Sequence, residues 1–530
     1  MAAVVPAVLV AIPVLAILNG ILDPNPEVWS QQWDTRLPGA IWSTLVLGVG
    51  VCVLTVVMGV GLAWLVAGYD FPGRRVLAWA LVLPLAVPAY ILGFVTTSVL
   101  GVAGPLQTRW RDVMGADAWF PEVRSMPVAI AVFSFTLYPY VYLLARAALR
   151  DQAGSAFAVA RTLGAGRAEA FRRVLLPMLR PAIAAGAAIV AMETLTDFAT
   201  VQYFQVDTVT AVVYRIWTGT YDRDAAAEIA TLALGFAVLA IALERIFRGR
   251  ARYAEMGRTG LGLQRERLRG VRAWGASAVA SGVVLVGFGL PTAQLVSWAI
   301  DEQTGTRGTP QLERYQEYLG NSLVLTGTTV ALCLVIGSLI ANAGRFSSSR
   351  GLGVARRTAT VGYALPGAVI AMGVVLALVG LDRELGRFDL TLPGTVATGS
   401  FIALVYAYAV RFLAPAVNSL ESGLDQVPRD LSASARSLGA GPLRIVRRIH
   451  LPLSRASVIS AAVLVGVDAL KELPVALLLR PIGFDTLPVW VYNLASESRF
   501  QQAALPSLTI IAVAMAPVVI LCWRLERGPT

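Results

Sequence analysis

From the N-terminus onward the chain alternates long apolar runs with short polar intervals. The apolar runs fall at roughly 3–22, 41–67, 76–101, 126–149, 181–203, 225–246, 273–299, 319–342, 359–380, 396–416, 456–479 and 502–523. Each is close to the ~20 residues that a helix needs to cross a bilayer, so the pattern predicts twelve spans. One polar interval occurs twice: ARTLGAGRAEAFRRVLLP at 160–177 returns as ARSLGAGPLRIVRRIHLP at 435–452, with ten of eighteen positions identical. An internal repeat of this length points to a duplicated module. The flanking spans agree, since Ser43-Thr44-Leu45-Val46-Leu47 echoes Asn321-Ser322-Leu323-Val324-Leu325 and Gly59 matches Gly337. Leu83-Pro84 likewise matches Leu365-Pro366, and Tyr138 and Tyr140 pair with Tyr406 and Tyr408. The expected organisation is a first domain over 1–246, a basic linker over 247–272 and a second domain over 273–530, six spans in each. Six spans separate the repeated loops, so both copies run in the same direction. Such a parallel repeat is related by a pseudo-two-fold axis along the membrane normal.

Composition strengthens this picture. Hydrophobic residues make up 56% of the chain and charged residues 15%, and the mean hydropathy is +0.66. Those values fit an all-α integral membrane protein embedded in a lipid bilayer. The net charge of +11 does not form a single basic patch, so no nucleic-acid partner is expected. Its distribution is topological. Arg248, Arg250, Arg252, Arg258, Arg265, Arg267, Arg269 and Arg272 stand against Glu255 and Glu266 in the linker, and further Arg crowds both repeated loops and the stretches at Arg74-Arg75 and Arg345–Arg357. Loops on the other side carry balanced charge: Asp23, Glu27, Asp34 and Arg36 in one, and Asp382, Arg383, Glu384, Arg387 and Asp389 in another. By the positive-inside rule the repeated loops, the linker and both termini face the cytoplasm. The first apolar run lacks a basic n-region and a small-x-small cleavage site, and reads as a span rather than a signal peptide. Cys52, Cys333 and Cys522 lie far apart within spans, which suits small core residues better than a disulfide framework or a metal site.

Two features carry candidate chemistry. The first is the repeated loop, where a Gly-Ala-Gly break separates two short helical stretches, about 151–162 and 167–176 in the first copy. Glycine permits the tight, positive-φ turn such a hairpin needs. The hairpin could dock on a partner or rest on anionic headgroups, and its duplication favours two equivalent docking sites. The sole histidine, His450, stands in the second copy where the first has Leu175. It has no companion ligands at metal-binding spacing, and a surface position is expected for it.

The second feature is charge inside the membrane. Counting from Pro181 at ~1.5 Å per residue, Glu193 lies ~18 Å and Asp197 ~24 Å into the fifth span. Their i,i+4 spacing would put both carboxylates on one helix face, and each charge near mid-bilayer costs about 2.5–3.5 kcal/mol. The matching residues of the eleventh span are Asp468 and Glu472, beside Lys471, the only lysine of the chain. Two readings stand. Either Lys471 neutralises Glu193, Asp197 or Asp468 in a buried network that acts as a gate, or the acids join Tyr138, Tyr140, Tyr406 and Tyr408 in an oxygen-rich path for a hard cation. For the tyrosines, simple packing between helices is the plainer alternative. Pro474 removes the hydrogen bond to the Leu470 carbonyl and is expected to kink the helix as a hinge.

The Ala-Arg-x-Leu-Gly-Ala-Gly…Leu-Pro loops resemble the coupling motif of binding-protein-dependent ABC importer permeases. That family's pattern begins Glu-Ala-Ala, where this chain has Ala158-Val159-Ala160 and Ala433-Ser434-Ala435. Residues 178–217 and 469–497 are similar to the corresponding stretches of fused, two-domain ferric-iron permeases; related fused permeases carry thiamine or phosphonates. The resemblance implies a type I ABC importer permease fold of about twelve transmembrane helices, in a bacterial inner membrane. It implies a periplasmic substrate-binding protein and two ATPase subunits as partners, with ATP and Mg bound on those subunits and no cofactor on this chain. The coupling residues it marks are Arg161, Leu163, Gly164, Ala165, Gly166, Leu176 and Pro177, and Arg436, Leu438, Gly439, Ala440, Gly441, Leu451 and Pro452. It implies no stable metal site, only transient iron contacts at Glu193, Asp197 and Glu472. The chain has no Walker-type phosphate loop, so it is not expected to hydrolyse ATP. A proton-coupled secondary transporter of twelve spans is the rival reading from another class.

Overall fold

The computed structural model describes residues 4–22, 26–151, 154–219, 223–248, 263–305, 311–346, 349–387 and 399–526. Arg250, Arg252, Arg258 and Glu255 of the linker, together with Asp23 and Asp389, lie outside them. Among the described residues nine helices are long and apolar enough to cross a membrane, or eleven spans when each of two bent helix pairs counts as one. The bent pairs are Gly351–Tyr363 with Gly367–Asp382, at 115°, and Pro442–Leu453 with Arg455–Lys471, at 79°. A shorter apolar helix begins at Val4, so every apolar run of the sequence meets a helix. The third run is interrupted, its helices Arg74–Ala80 and Ala89–Leu100 flanking a tight turn at Leu83–Ala86. Pro84 and Pro88, which lack the amide hydrogen a continuous helix requires, stand at those interruptions.

By packing the chain divides into two compact units. One holds residues 1–34, 212–234 and 311–493; the other holds 35–211, 235–310 and 494–530. The second of these is centred on three helices in mutual contact, Leu37–Gly68, Met126–Asp151 and Leu176–Thr196. The first has the same trio, Leu312–Phe346, Phe401–Asp425 and Arg455–Lys471. In both trios a glycine allows the close approach that small residues give membrane helices. A Cβ on Gly59 would stand 2.7 Å from Val141 Cβ, and one on Gly337 would meet Leu420 at 3.2 Å and Ala416 at 3.4 Å.

These contacts revise one sequence match. Val141 in one trio occupies the place of Ala416 in the other, which puts Leu137-Tyr138-Pro139 at the level of Phe412-Leu413-Ala414, within one position of the similar Leu413-Ala414-Pro415. Tyr138 and Tyr140 therefore sit about two helical turns away from the level of Tyr406 and Tyr408.

The packing units are not contiguous in sequence. Helix Val4–Leu22 packs on Arg350–Ala359 and Gly367–Arg387, where a Cβ on Gly373 would lie 2.3 Å from the Pro13 carbonyl oxygen. Helix Leu290–Gln303 packs on Phe500–Glu526 and Ala89–Leu100, with Trp298, Phe94 and Phe500 stacked at 5.8–6.4 Å. The C-terminal end of the linker is tied down as well: Glu266-Arg267 pairs in parallel with Tyr69-Asp70.

Candidate functional site

The fifth and eleventh apolar runs do not continue as single helices. Helix Leu176–Thr196 stops at Asp197, whose backbone is extended (φ −88°, ψ 112°), and Arg455–Lys471 stops at Glu472 in nearly the same conformation (φ −68°, ψ 119°). Each carboxylate then turns onto the next short helix. Asp197 accepts from the Thr200 amide at 2.8 Å and from its hydroxyl at 2.6 Å, and Glu472 accepts from the Val475 amide at 3.2 Å. These bonds satisfy amide donors that a helix start leaves orphaned. The break corrects two expectations. Asp197 and Glu472 lie beyond the last helical turn, so neither shares a helix face with Glu193 or Asp468. Pro474 opens a new helix, Pro474–Leu479, and does not kink an old one; a residue without an amide hydrogen is at home in that first turn.

The same break recurs downstream. Thr44 Oγ1 accepts from the Val209 amide at 3.0 Å, and Ser322 Oγ accepts from the Leu487 amide at 2.8 Å. Each ties the start of a long span to a helix 165 residues later.

Glu472 is held from several sides. Arg411 Nε lies 3.0 Å from its Oε2, with the two side chains 9% and 6% exposed. Arg411 also donates to the Leu365 carbonyl at 3.1 Å, and the Tyr408 hydroxyl donates to the Glu472 carbonyl at 3.2 Å. Gly367 makes room, because a Cβ there would stand 2.7 Å from Glu472 Oε1 and 3.0 Å from an Arg411 nitrogen. Sequence reasoning missed Arg411, although a lone arginine in the apolar run YAYAVRFLAPAV was a visible signal. Lys471 pairs with Asp468 at 2.9 Å, one of the partners the sequence offered. Glu193 lies half-buried on helix Leu176–Thr196, and its carbonyl accepts from Thr196 Oγ1 at 2.9 Å.

The hydroxyls of Tyr138, Tyr406 and Tyr408 are spent on main chain. Tyr138 donates to the Leu81 carbonyl at 2.6 Å, and Tyr406 donates to the Leu9 carbonyl. Tyr142, outside the sequence-selected set, donates to the Ala78 carbonyl at 2.7 Å. Tyr140 is half-buried on helix Met126–Asp151. Among the described residues no group of three or more His, Cys, Asp or Glu is placed to hold a metal ion.

The repeated loops form the same hairpin twice. Helix Gly154–Thr162 ends at Leu163-Gly164, with φ +89° at Gly164, and the Ala165 amide donates to Ala160 while that of Gly164 donates to Arg161. Helix Arg429–Ser437 ends at Leu438-Gly439, φ +78°, with the matching bonds Ala440 to Ala435 and Gly439 to Arg436. This pair of bonds around a left-handed glycine is the Schellman arrangement. It leaves Leu163 81% and Leu438 87% exposed at the two tips. Gly166 and Gly441 then cap the return helices, which widen into π-turns at Phe171–Leu175 and Val446–His450. A third such turn, Leu285–Gly289, is like these followed directly by Leu-Pro. The proline's missing donor and its bulky ring account for the wider turn.

The hairpins are fastened differently. In the first, Arg167 lies over Trp64, Tyr69 and Phe157 at 5.4, 4.7 and 5.4 Å, donates to the Gly68 carbonyl, and pairs with Glu266 of the linker at 3.5 Å. In the second, His450 is fully buried, contrary to the surface position expected of it. Its Nε2 lies 2.8 Å from Ser432 Oγ, its Nδ1 2.5 Å from Asn342 Oδ1, and its ring stacks on Phe346. Arg345 donates to the Leu424 carbonyl at 2.5 Å and to that of Val427. Burial first, and the nearby Arg345 and Arg436 guanidinium groups second, push the His450 pKa below its ordinary value.

A trio of membrane helices built twice, each leading from an exposed hairpin to a carboxylate-capped break, defines a duplicated membrane-transport subunit. The chain belongs to the family described as binding-protein-dependent transport system inner membrane component, which it matches over residues 56–248 and again over 333–525. It is 24% identical to the Fe(3+)-transport system permease protein FbpB 2 of Haemophilus influenzae, over 92% of this chain and 90% of that protein. It is 21% identical to the ferric transport system permease protein FbpB of Actinobacillus pleuropneumoniae, over 83% of this chain and 64% of that one. The sulfate transport system permease protein CysT of Salmonella typhimurium is 27% identical over 41% of this chain and 80% of its own length. The chain is thus a multi-pass membrane component of a transport system, and its family implies a substrate-binding protein and an ATPase as partners.

Two outcomes follow from this geometry. Arg411→Met leaves Glu472 charged and buried, a loss of about 3–5 kcal/mol, whereas Arg411→Met combined with Glu472→Gln recovers most of it. Thermal unfolding of the purified chain in detergent measures both, and additive losses would refute the pairing. His450 is held neutral, so the unfolded chain takes up its proton first as pH falls below about 6.5. Stability of the second hairpin is therefore constant above that pH and declines below it. Hydrogen exchange over residues 429–453 at pH 7.5 and 5.5 should show this decline, and His450→Leu, which copies Leu175, should abolish it.

Proposed function

We propose that this chain is the permease of an ATP-driven importer of ferric iron. The observation that carries the reading is coverage: the ferric permeases above align through both halves, while the sulfate permease aligns with about one. A binding protein delivers the cargo on the outer face. Two ATPase subunits, carrying ATP and Mg, dock on the hairpins at the cytoplasmic face, one per hairpin, with Leu163 and Leu438 as the apolar tips they grip. From each tip the chain runs through a π-turn into a helix that ends at a break. In the first copy that helix has 21 residues, about 32 Å at ~1.5 Å per residue. Motion of the Leu163 tip reaches Asp197 through one stiff helix, and that of the Leu438 tip reaches Glu472 through two helices that meet at a 79° bend; the charged groups there (Glu193, Asp197, Asp468, Lys471 and Glu472) gate an alternating-access path. Their bonds to Thr200, Val475 and Arg411 favour a gate over a resting place for iron.

Uptake of radiolabelled ferric iron and of sulfate, measured in cells expressing the chain with its binding protein and ATPase, tests the cargo. Iron uptake that depends on ATP and is not competed by sulfate is expected; sulfate uptake alone would overturn it. Leu163→Glu with Leu438→Glu should leave the chain folded and membrane-inserted, since both side chains are exposed, yet cut ATPase co-purification at least tenfold. Unchanged co-purification would remove the hairpin tips from the interface.

A further inference from the structure

One groove of the molecule is unused by this mechanism. It lies between helices Leu37–Gly68, Leu176–Thr196 and Arg223–Arg248, encloses about 950 Å³, and is bounded along its length by Leu176 at one end and Leu195 at the other. That span is about 28 Å at ~1.5 Å per residue, close to the ~30 Å hydrocarbon thickness of a bilayer. Small residues create the trough. Ala184, Ala187 and Ala191 share one helix face and stand across from Gly48, while Leu239 and Leu243 form the far wall. Leu239 and Leu243 are also 45% and 42% exposed, so the trough opens outward, toward the lipid that surrounds a membrane helix.

Charge is confined to the hairpin end. Arg172 and Arg180 line the groove there and are exposed, and neither makes an ion pair among the described residues. Glu244 is the one acid of the lining, and it already has a partner. The neighbouring Arg173, by contrast, is paired with Glu169 at 2.8 Å. The apolar trough runs on from Arg180 to Leu195, about 22 Å at ~1.5 Å per residue, long enough for the acyl chain of one leaflet, and with two uncompensated guanidinium groups at its hairpin end it matches a ligand with long hydrocarbon chains and an anionic head. Basic pockets between membrane helices at the bilayer surface bind such headgroups, and guanidinium suits phosphate geometry.

We infer that this groove is a binding site for an anionic phospholipid, with acyl chain along the alanine face and phosphate between Arg172 and Arg180. The site bears on the helix that joins the first hairpin to Asp197, but the inference does not depend on the cargo. The test is native mass spectrometry of the full chain, purified in detergent and exposed to equal amounts of phosphatidylglycerol and phosphatidylcholine. Preferential retention of phosphatidylglycerol by about tenfold is expected. Arg172→Gln with Arg180→Gln should abolish the preference, Arg173→Gln should keep it, and Ala187→Trp should reduce retention of both lipids. Equal retention by the unaltered chain would overturn the inference, as would a preference that survives loss of Arg172 and Arg180 in a chain of unchanged elution volume. Equal loss of preference in the Arg173→Gln control would make the effect one of general surface charge, and would overturn it too.

Discussion

A bilayer interior offers no water to a peptide group, so a helix that stops inside it must find partners for its loose amides within the protein. Among the described residues two apolar runs stop in that way with a carboxylate at the break, Asp197 in one and Glu472 in the other, and much of the surrounding structure serves to make those stops affordable. The carboxylate at each break accepts from the amide three residues on, which closes the start of the next helix. A hydroxyl from a distant span, Thr44 or Ser322, closes the start of the helix after that. The solution creates a second problem, a charge in a low-dielectric setting. In the second half Arg411 answers it, and Gly367 is bare because any side chain there would displace the pair.

Backbone and side chains have diverged at different rates between the halves. The breaks, the hairpin turns, the π-turns before Leu-Pro and the glycine crossings coincide in both. Even the left-handed position after the break is shared, although it is Gly483 in one copy and Gln205, with φ 54°, in the other. The fasteners do not coincide: Arg167 among aromatic rings holds one hairpin, and His450 between Ser432 and Asn342 holds the other. Backbone hydrogen bonds admit few geometries in apolar surroundings, whereas many side-chain pairs can pin a helix to its neighbour.

That difference explains what the sequence could yield. Apolar runs and the repeated Gly-Ala-Gly loop are local signals, and they delivered the helices, the duplication and the hairpins. The breaks at Asp197 and Glu472 were hidden because both lie in runs that read as continuous spans; only Pro474 hinted at one. His450 looked like a surface residue because its partners, Asn342 and Phe346, are about a hundred positions away. The tyrosine match failed for a related reason: aromatic residues recur in membrane helices, and similarity of type overrode the register that the packing of Gly59 and Gly337 reveals. Arg411 was legible and overlooked.

The mechanical consequence turns on stiffness. In the first half the hairpin tip is joined to its break by one helix with a single widened turn near its base, so little of a displacement at the tip can be absorbed on the way, whereas in the second the path bends by 79° between Leu453 and Arg455. What resists the displacement is then the bonding at the break itself. In the first half that includes the bonds of the Asp197 carboxylate to Thr200. In the second it is a buried ion pair spanning helix Phe401–Asp425 and the start of Pro474–Leu479, which cannot loosen without exposing a charge to an apolar phase. Opening the second break would therefore require separating Arg411 from Glu472.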